Sequence, residues 1–198
     1  PFDAAACLQQ LENLSFLDER ACAAVRGKEE TDPYLVRGLQ FNKDCGLYCI
    51  LAFDDDRVRS LVEGLLQSLS FSGVGGKRSV GFGKFQLECC GELAQSACEA
   101  ARVLGTYLSG EPAAHWMTLN TSLPAEDELE QAMEHAEYSL CRRGGFVHGM
   151  GYKKRTVYAF ASGSCFSKRF SGQVRNVAPG GRQPALRMLK PMFLGVDV

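Results

Sequence analysis

Apolar residues recur along the chain at changing intervals, and each change of interval marks an element. Leu8, Leu11, Leu14 and Leu17 stand three apart, and residues 4–26 read as two short helices with Gly27 as a stop. Lys28 to Pro33 is a charged connector. Tyr34–Phe41 then reads as a strand. Gly46–Phe53 (GLYCILAF) reads as a second one, which does not alternate and is therefore expected to be buried on both faces. The helix that follows is the most explicit in the chain. Asp54, Asp55 and Asp56 set a cap and negative charge at its amino end, and Val58, Leu61, Val62, Leu65, Leu66 and Leu69 fall on one stripe. A glycine-rich turn at Gly73–Gly83 leads into an expected strand at Lys84–Cys89.

A second unit of the same kind comes next. Residues 91–110 are rich in small side chains and predict a helix followed by a loop, and Trp116–Leu123 is strand-like. Pro124 with Glu126, Asp127 and Glu128 opens another helix, carrying Leu129, Ala132, Met133 and Ala136 on one side. Tyr138–Val147 and Thr156–Ala161 read as strands around the Gly144-Gly145 break. Two strand–helix–strand units in series predict an α+β, ferredoxin-like (RRM-like) βαββαβ domain, an antiparallel sheet with helices on one face. The expected division is a helical segment and connector at 1–33, the ferredoxin-like domain at 34–162, and a loop-rich extension at 163–198 that ends in a short strand near Met192–Val196.

Composition narrows the class. Among 198 residues, 45% hydrophobic and 23% charged side chains exclude a mainly disordered chain, and no apolar run approaches the roughly 18–20 residues of a membrane span. The start, Pro1-Phe2-Asp3, carries no basic or apolar signal stretch, so the expectation is a trimmed chain rather than a secreted precursor. The nine cysteines (Cys7, Cys22, Cys45, Cys49, Cys89, Cys90, Cys98, Cys141 and Cys165) contain no C-x-x-C pair. They predict reduced, buried thiols, no structural zinc and a cytoplasmic protein. The net charge of −1 conceals a segregation: residues 1–136 hold 11 basic and 21 acidic side chains, whereas residues 137–198 hold 11 basic and 2 acidic. A polyanion-binding carboxyl-terminal part and internal charge pairing both fit that pattern.

Candidate chemistry concentrates in Gly73-Val74-Gly75-Gly76-Lys77-Arg78-Ser79-Val80-Gly81-Phe82-Gly83-Lys84-Phe85. Five glycines in eleven residues permit positive φ and close approach to a ligand, and successive amides in such a bend can nest an anion. Lys77 and Arg78 add charge, Arg with a bidentate phosphate grip, and Ser79 adds a hydroxyl. The spacing is neither that of a Walker A loop nor the dinucleotide pattern G-x-G-x-x-G, whose third glycine is here Arg78. Both nucleotide hydrolysis and dinucleotide binding are disfavoured.

The string GVGGKRSVGFGKF resembles the glycine-rich loop of the RAMP superfamily of CRISPR proteins. Together with CGLYCILAF, SLCRRGGFV, VYAFASGSCF and VAPGGRQPALRMLKPMFLGV, it resembles the Csm subunit that caps the 5′ end of the guide in type III-A effectors, from about Tyr34 onward. That resemblance implies two ferredoxin-like folds, of which the amino-terminal one looks incomplete here. It also implies a non-catalytic crRNA-binding subunit that holds the repeat-derived 5′ tag and docks onto the large polymerase-like signature subunit and a backbone subunit. No cofactor, metal, membrane or small-molecule substrate is implied. In relatives a histidine usually precedes the proline of the closing motif and aromatics follow it. Gln183, Pro184, Ala185 and Leu186 stand there instead, so no stacking role is assigned to that motif.

The expected RNA contacts are Gly73, Gly75, Gly76, Lys77, Arg78, Ser79, Phe82, Gly83 and Lys84, with Arg142 and Arg143 further along. Phosphate contacts of this kind give grip and register without reading sequence. Phe82 admits two readings, stacking on an unpaired base or packing beneath the loop. Lys153, Lys154 and Arg155 either line the strand's path or are solvated surface cations; Ser164 and Phe166 receive no role. Two other functions compete. One is a RAMP-type endoribonuclease acting on precursor RNA through His115, His135 or His148, of which His148 lies nearest the basic Lys153-Lys154-Arg155 group. The other is an architectural adaptor using acidic helices around Glu12–Glu30 and Glu126–Glu134.

Overall fold

Strand pairing, more than local propensity, decides the first elements. The computed structural model describes residues 4–24, 32–88, 91–110, 113–147 and 149–197, in two compact units, Pro1–Leu87 and Glu88–Val198. In the first, α1 (Ala4–Glu12) is the one helix of the two expected over residues 4–26. The remainder forms β1 (Ser15–Ala24), which pairs antiparallel with β2 (Asp32–Phe41) from Ser15↔Phe41 to Ala24↔Asp32. Ten registered pairs outweigh the modest helix preference of the FLDERACAA stretch. Of the connector, residues 28–31 lie outside those described.

Helix α2 (Asp56–Ser72) forms as the stripe predicts, with the Asp55 carboxylate accepting from the Arg57 amide at 2.8 Å. Val62, Leu66 and Leu69 are half-buried, whereas Val58, Leu61 and Leu65 face outward. Neither expected flanking strand appears. Residues 46–53 run without regular structure, with Leu47 and Tyr48 largely exposed, and residues 84–88 are likewise irregular. An apolar run becomes a strand only when a neighbour satisfies its amides and carbonyls, and among the described residues none pairs with either run. Cys89, the last residue of the second, lies outside the described set. The cysteines follow suit: Cys45, Cys49 and Cys98 are exposed and Cys22, Cys141 and Cys165 half-buried, all as free thiols. The expectation of burial fails because Cys49 belongs to the unpaired run, Cys45 stands in the turn just before it, and Cys98 stands at a helix amino end.

The second unit carries α3 (Glu99–Ser109), β3 (His115–Thr118), α4 (Leu129–Met133), β4 (Leu140–Arg143) and β5 (Val157–Phe160). It continues with β6 (Cys165–Phe166), β7 (Gln173–Asn176), β8 (Leu186–Leu189) and β9 (Phe193–Val196). Pairing is antiparallel throughout, in sheets β6-β3-β9, β4-β5 and β7-β8. The fold is thus a mixed α/β arrangement with antiparallel sheets. The stretch expected to be loop-rich supplies four of these strands. It also provides most of the core, because its aromatic residues recur where facing elements meet. Phe166, Phe170 and Phe193 join Phe160 and Ala132, with edge-to-face ring pairs at 5.1 Å. A second cluster packs Val157, Ala159, Val177 and Leu189.

Two polar clamps fix the chain around this core. The Asn120 side chain accepts from the Met192 amide and donates to the Lys190 carbonyl. Glu128 accepts from the amides of Ala125, Ser171 and Gly172 at 2.7–3.1 Å, tying the start of α4 to the turn before β7. Burial works to raise the Glu128 pKa, but these amides outweigh it and hold the carboxylate below its ordinary value. A depressed carboxylate stabilises the fold above the ordinary carboxylate pKa, and the contribution disappears as pH falls through the lowered value. Glu128→Gln should therefore cost about 1–3 kcal/mol at pH 7. The gap from the parent chain should narrow as denaturant titrations move below about pH 4; a pH-independent gap would refute the role of the charge.

Candidate nucleic-acid interface

The glycine-rich loop begins where α2 must stop. Gly73 caps the helix at φ 79°, its amide donating to Leu69 O at 2.7 Å. The Val74 amide then donates to Gly83 O at 2.9 Å, closing a narrow neck. Neither flanking glycine leaves room for a side chain: a β-carbon on Gly83 would run into the Val74 carbonyl, and one on Gly73 into Phe82 and Gly83. Beyond the neck, Lys77 takes a left-handed conformation at φ 56° and starts a single 3-10 turn, Arg78–Val80. Its carbonyl accepts from the amides of Val80 and Phe82 at 3.1 and 3.3 Å, which turns the chain back on itself.

One face of the β1–β2 hairpin seats this loop. Phe82 lies against Gly38, where a β-carbon would come 3.2 Å from the ring. The Arg20 guanidinium sits 5.3 Å from the Phe82 ring centroid and pairs with Asp18 at 2.7 Å. The Lys77 ammonium is 5.3 Å from the Tyr34 ring centroid, a cation–π arrangement. Asp18, Arg20, Tyr34 and Gly38 share this face because side chains alternate along each strand and the register is antiparallel.

The seat leaves a polar edge turned outward. Gly75, Gly76, Lys77, Ser79 and Lys84 are exposed and Arg78 half-buried. Among the described residues none accepts from the amides of Gly75, Gly76, Lys77 or Ser79. Free amides, a hydroxyl and two cations on one short bend are the donor set an anionic oxygen requires. Phe82, half-buried on the hairpin, takes the packing position of its two readings. The strand expected at Tyr34–Phe41 forms as β2, but its partner β1, and with it the hairpin, was hidden under the expected helix. The hairpin's signal was Gly38 inside an apolar strand, the mark of a close backbone or ring approach.

The remaining candidates belong to the second unit. Arg142 and Arg143 are exposed on β4; Arg142 stands opposite Tyr158, and Arg143 donates to the Thr121 hydroxyl at 3.1 Å. Phe166 is wholly buried, and the Ser164 hydroxyl donates to Ala161 O, so both serve the core. Of the histidines, His115 lies in β3 with Nδ1 buried, His135 is exposed at φ 55°, and His148 lies outside the described residues. Among the described residues no cluster of His, Cys, Asp or Glu is placed to hold a metal, and no helix is long and apolar enough to cross a membrane.

Residues 111–196 match the family described as CRISPR Csm4 C-terminal domain. The "CRISPR system Cms protein Csm4" of Mycobacterium tuberculosis is 38% identical over 175 residues, which cover 86% of this chain and 53% of that protein. Its Streptococcus thermophilus counterpart is 37% identical over 170 residues, covering 83% and 52% respectively. The chain therefore spans about half the length of these curated relatives. A solved Csm3–Csm4 subcomplex of the type III-A CRISPR-Cas interference complex aligns at TM-score 0.49 and 16% identity, over 92% of this chain and 53% of that one.

The neck geometry separates two glycines that look alike in sequence. Gly83→Ala meets both a positive φ and the Val74 backbone and should destabilise the first unit by about 2–4 kcal/mol. Gly75→Ala, at φ 83° with no atom within 4 Å, should cost only about 1 kcal/mol. Equal losses in denaturant unfolding would show that the neck is not the tight point.

Proposed function

Over the length it shares with these relatives the chain belongs to the Csm4 family, and we propose that it acts as a non-catalytic crRNA-binding subunit of a type III-A CRISPR effector. In this reading the glycine-rich loop grips the repeat-derived 5′ tag. Backbone amides of Gly75, Gly76 and Lys77 meet phosphate oxygens, and Arg78 and Ser79 complete the hold, with Lys84 alongside. The observation that carries the reading is the outward edge of Gly75, Gly76, Lys77 and Ser79 amides that no described residue accepts, on a loop whose other side is locked to the β1–β2 hairpin. Such a hold is pre-organised, so little ordering cost is left for the moment of binding.

The antiparallel sheets are, on this view, parts of a ferredoxin-like frame, and the subunit works in the cytoplasm without a cofactor. Docking onto the large polymerase-like subunit and a backbone subunit is supported by the apolar surface of the first unit. Leu47, Tyr48, Leu61, Leu65 and Phe71 are each 59–85% exposed, and Leu61 and Leu65, one turn apart on α2, form an apolar strip that a protein partner could cover. The His115, His135 and acidic-helix alternatives gain no comparable support from the geometry.

Replacing both Lys77 and Arg78 with Ala should weaken binding of a tag-sequence RNA by roughly tenfold or more at 0.1 M salt. It should also reduce the slope of log affinity against log salt by about 1.4, since each phosphate contact on a single strand contributes about 0.7. Unchanged affinity in fluorescence anisotropy at low salt would remove the loop from the site. Incubating the chain with repeat RNA, with and without magnesium, should leave the RNA intact; discrete cleavage would refute the non-catalytic assignment.

A further inference from the structure

A cleft in the second unit plays no part in the reading above. It has a volume of about 520 Å³ and lies at the seam of the β4–β5 and β7–β8 sheets, between Arg155, Thr156 and Tyr158 on one side and Arg175 and Asn176 on the other. Val157 and Val177 also line it, and both belong to the core, so this wall is rigid. The seam is stitched by the Arg155 amide donating to Val177 O at 2.7 Å and the Arg155 guanidinium donating to Asn176 O at 3.0 Å. The Asn176 side-chain oxygen is itself held by the amides of Ala178 and Ala185.

The charges around the cleft are placed at a cost. Arg175 stands directly opposite Arg187 across the β7–β8 ladder, and like charges in that position repel. Among the described residues neither forms an ion pair. Arg142 adds a further cation opposite Tyr158, and the whole of residues 137–198 offers only Glu137 and Asp197 as acids. Within this field Tyr158 is 61% exposed, with no other ring or cation on its face among the described residues. Cations alone would fit any anion. A bare aromatic ring among them adds a demand for a flat apolar group, which an acidic peptide lacks and a nucleobase supplies. The volume falls within the range of small-ligand pockets, about 300–1,000 Å³.

We infer that this cleft seats one unpaired nucleotide of a single-stranded RNA, with its phosphate between Arg155 and Arg175 and its base on Tyr158. The site takes the same class of ligand as the glycine-rich loop but uses residues of the other unit, so each can be removed without the other. No sequence preference follows, because every base offers a ring face and the phosphates are alike.

Anisotropy with a fluorescent oligouridylate on the full chain tests the assignment. Tyr158→Ala should weaken binding roughly 5- to 100-fold. Arg175→Ala should weaken it and lower the salt slope by about 0.7, and Arg175→Lys should restore most of both. Both side chains are exposed, so thermal unfolding of the variants should match the parent. RNA containing 4-thiouridine should crosslink to a peptide that includes Tyr158. Parent-like binding by Tyr158→Ala and Arg175→Ala together, or displacement of the RNA by a poly-glutamate peptide at equal charge concentration, would overturn the inference. Loss of binding in the Lys77 and Arg78 double variant beside intact binding in the cleft variants would overturn it while sparing the loop. The reverse result would uphold the cleft and overturn the loop.

Discussion

A β-carbon has no room at either end of the neck that closes the glycine-rich loop, and the candidate interface depends on that steric fact. Gly73 must end α2 in a left-handed turn, and Gly83 must pass the Val74 carbonyl at a distance no other residue tolerates. Once the neck is shut, the ten residues from Val74 to Gly83 have little freedom left. Two bonds to the Lys77 carbonyl set the bend, and Phe82 is delivered onto Gly38 of the hairpin. The outward amides are then a residue of the geometry: they are what remains after the inner side of the loop has been satisfied.

The second unit is organised by a different constraint. Its strands are only two to four residues long, too short to be stable as isolated ladders. Aromatic packing and side-chain clamps make up the deficit. Four phenylalanines in mutual edge contact bring β5, β6 and β9 together, and Glu128 and Asn120 bind backbone amides that would otherwise be left loose in turns. Positive side chains are excluded from this interior and gather on the surface, where so few acids stand near them that the segregation seen in the sequence persists in the fold.

Much of this was legible beforehand where the signal was local. The α2 stripe and its aspartate cap, the glycine-rich bend, and the strands around Trp116, Cys141, Tyr158 and Leu194 are all governed by neighbours within a few residues. Pairing was not legible. The FLDERACAA stretch is a strand only because β2 lies beside it, and GLYCILAF is not one because nothing does. Nor does spacing reveal which cations meet an aromatic ring: Lys77 and Tyr34, or Arg20 and Phe82, are brought together by a hairpin that the leucine spacing had disguised as helix.

The manner in which Lys77 is anchored has a consequence of its own. Arg37 is held by Glu19 and Arg20 by Asp18, and in each of those pairs the carboxylate nulls the guanidinium it restrains. Lys77 leans instead on a phenol ring, whose quadrupole steers an ammonium but carries no net charge to offset it. The side chain is thereby aimed without being neutralised, and its full potential stays on offer to whatever approaches from solvent.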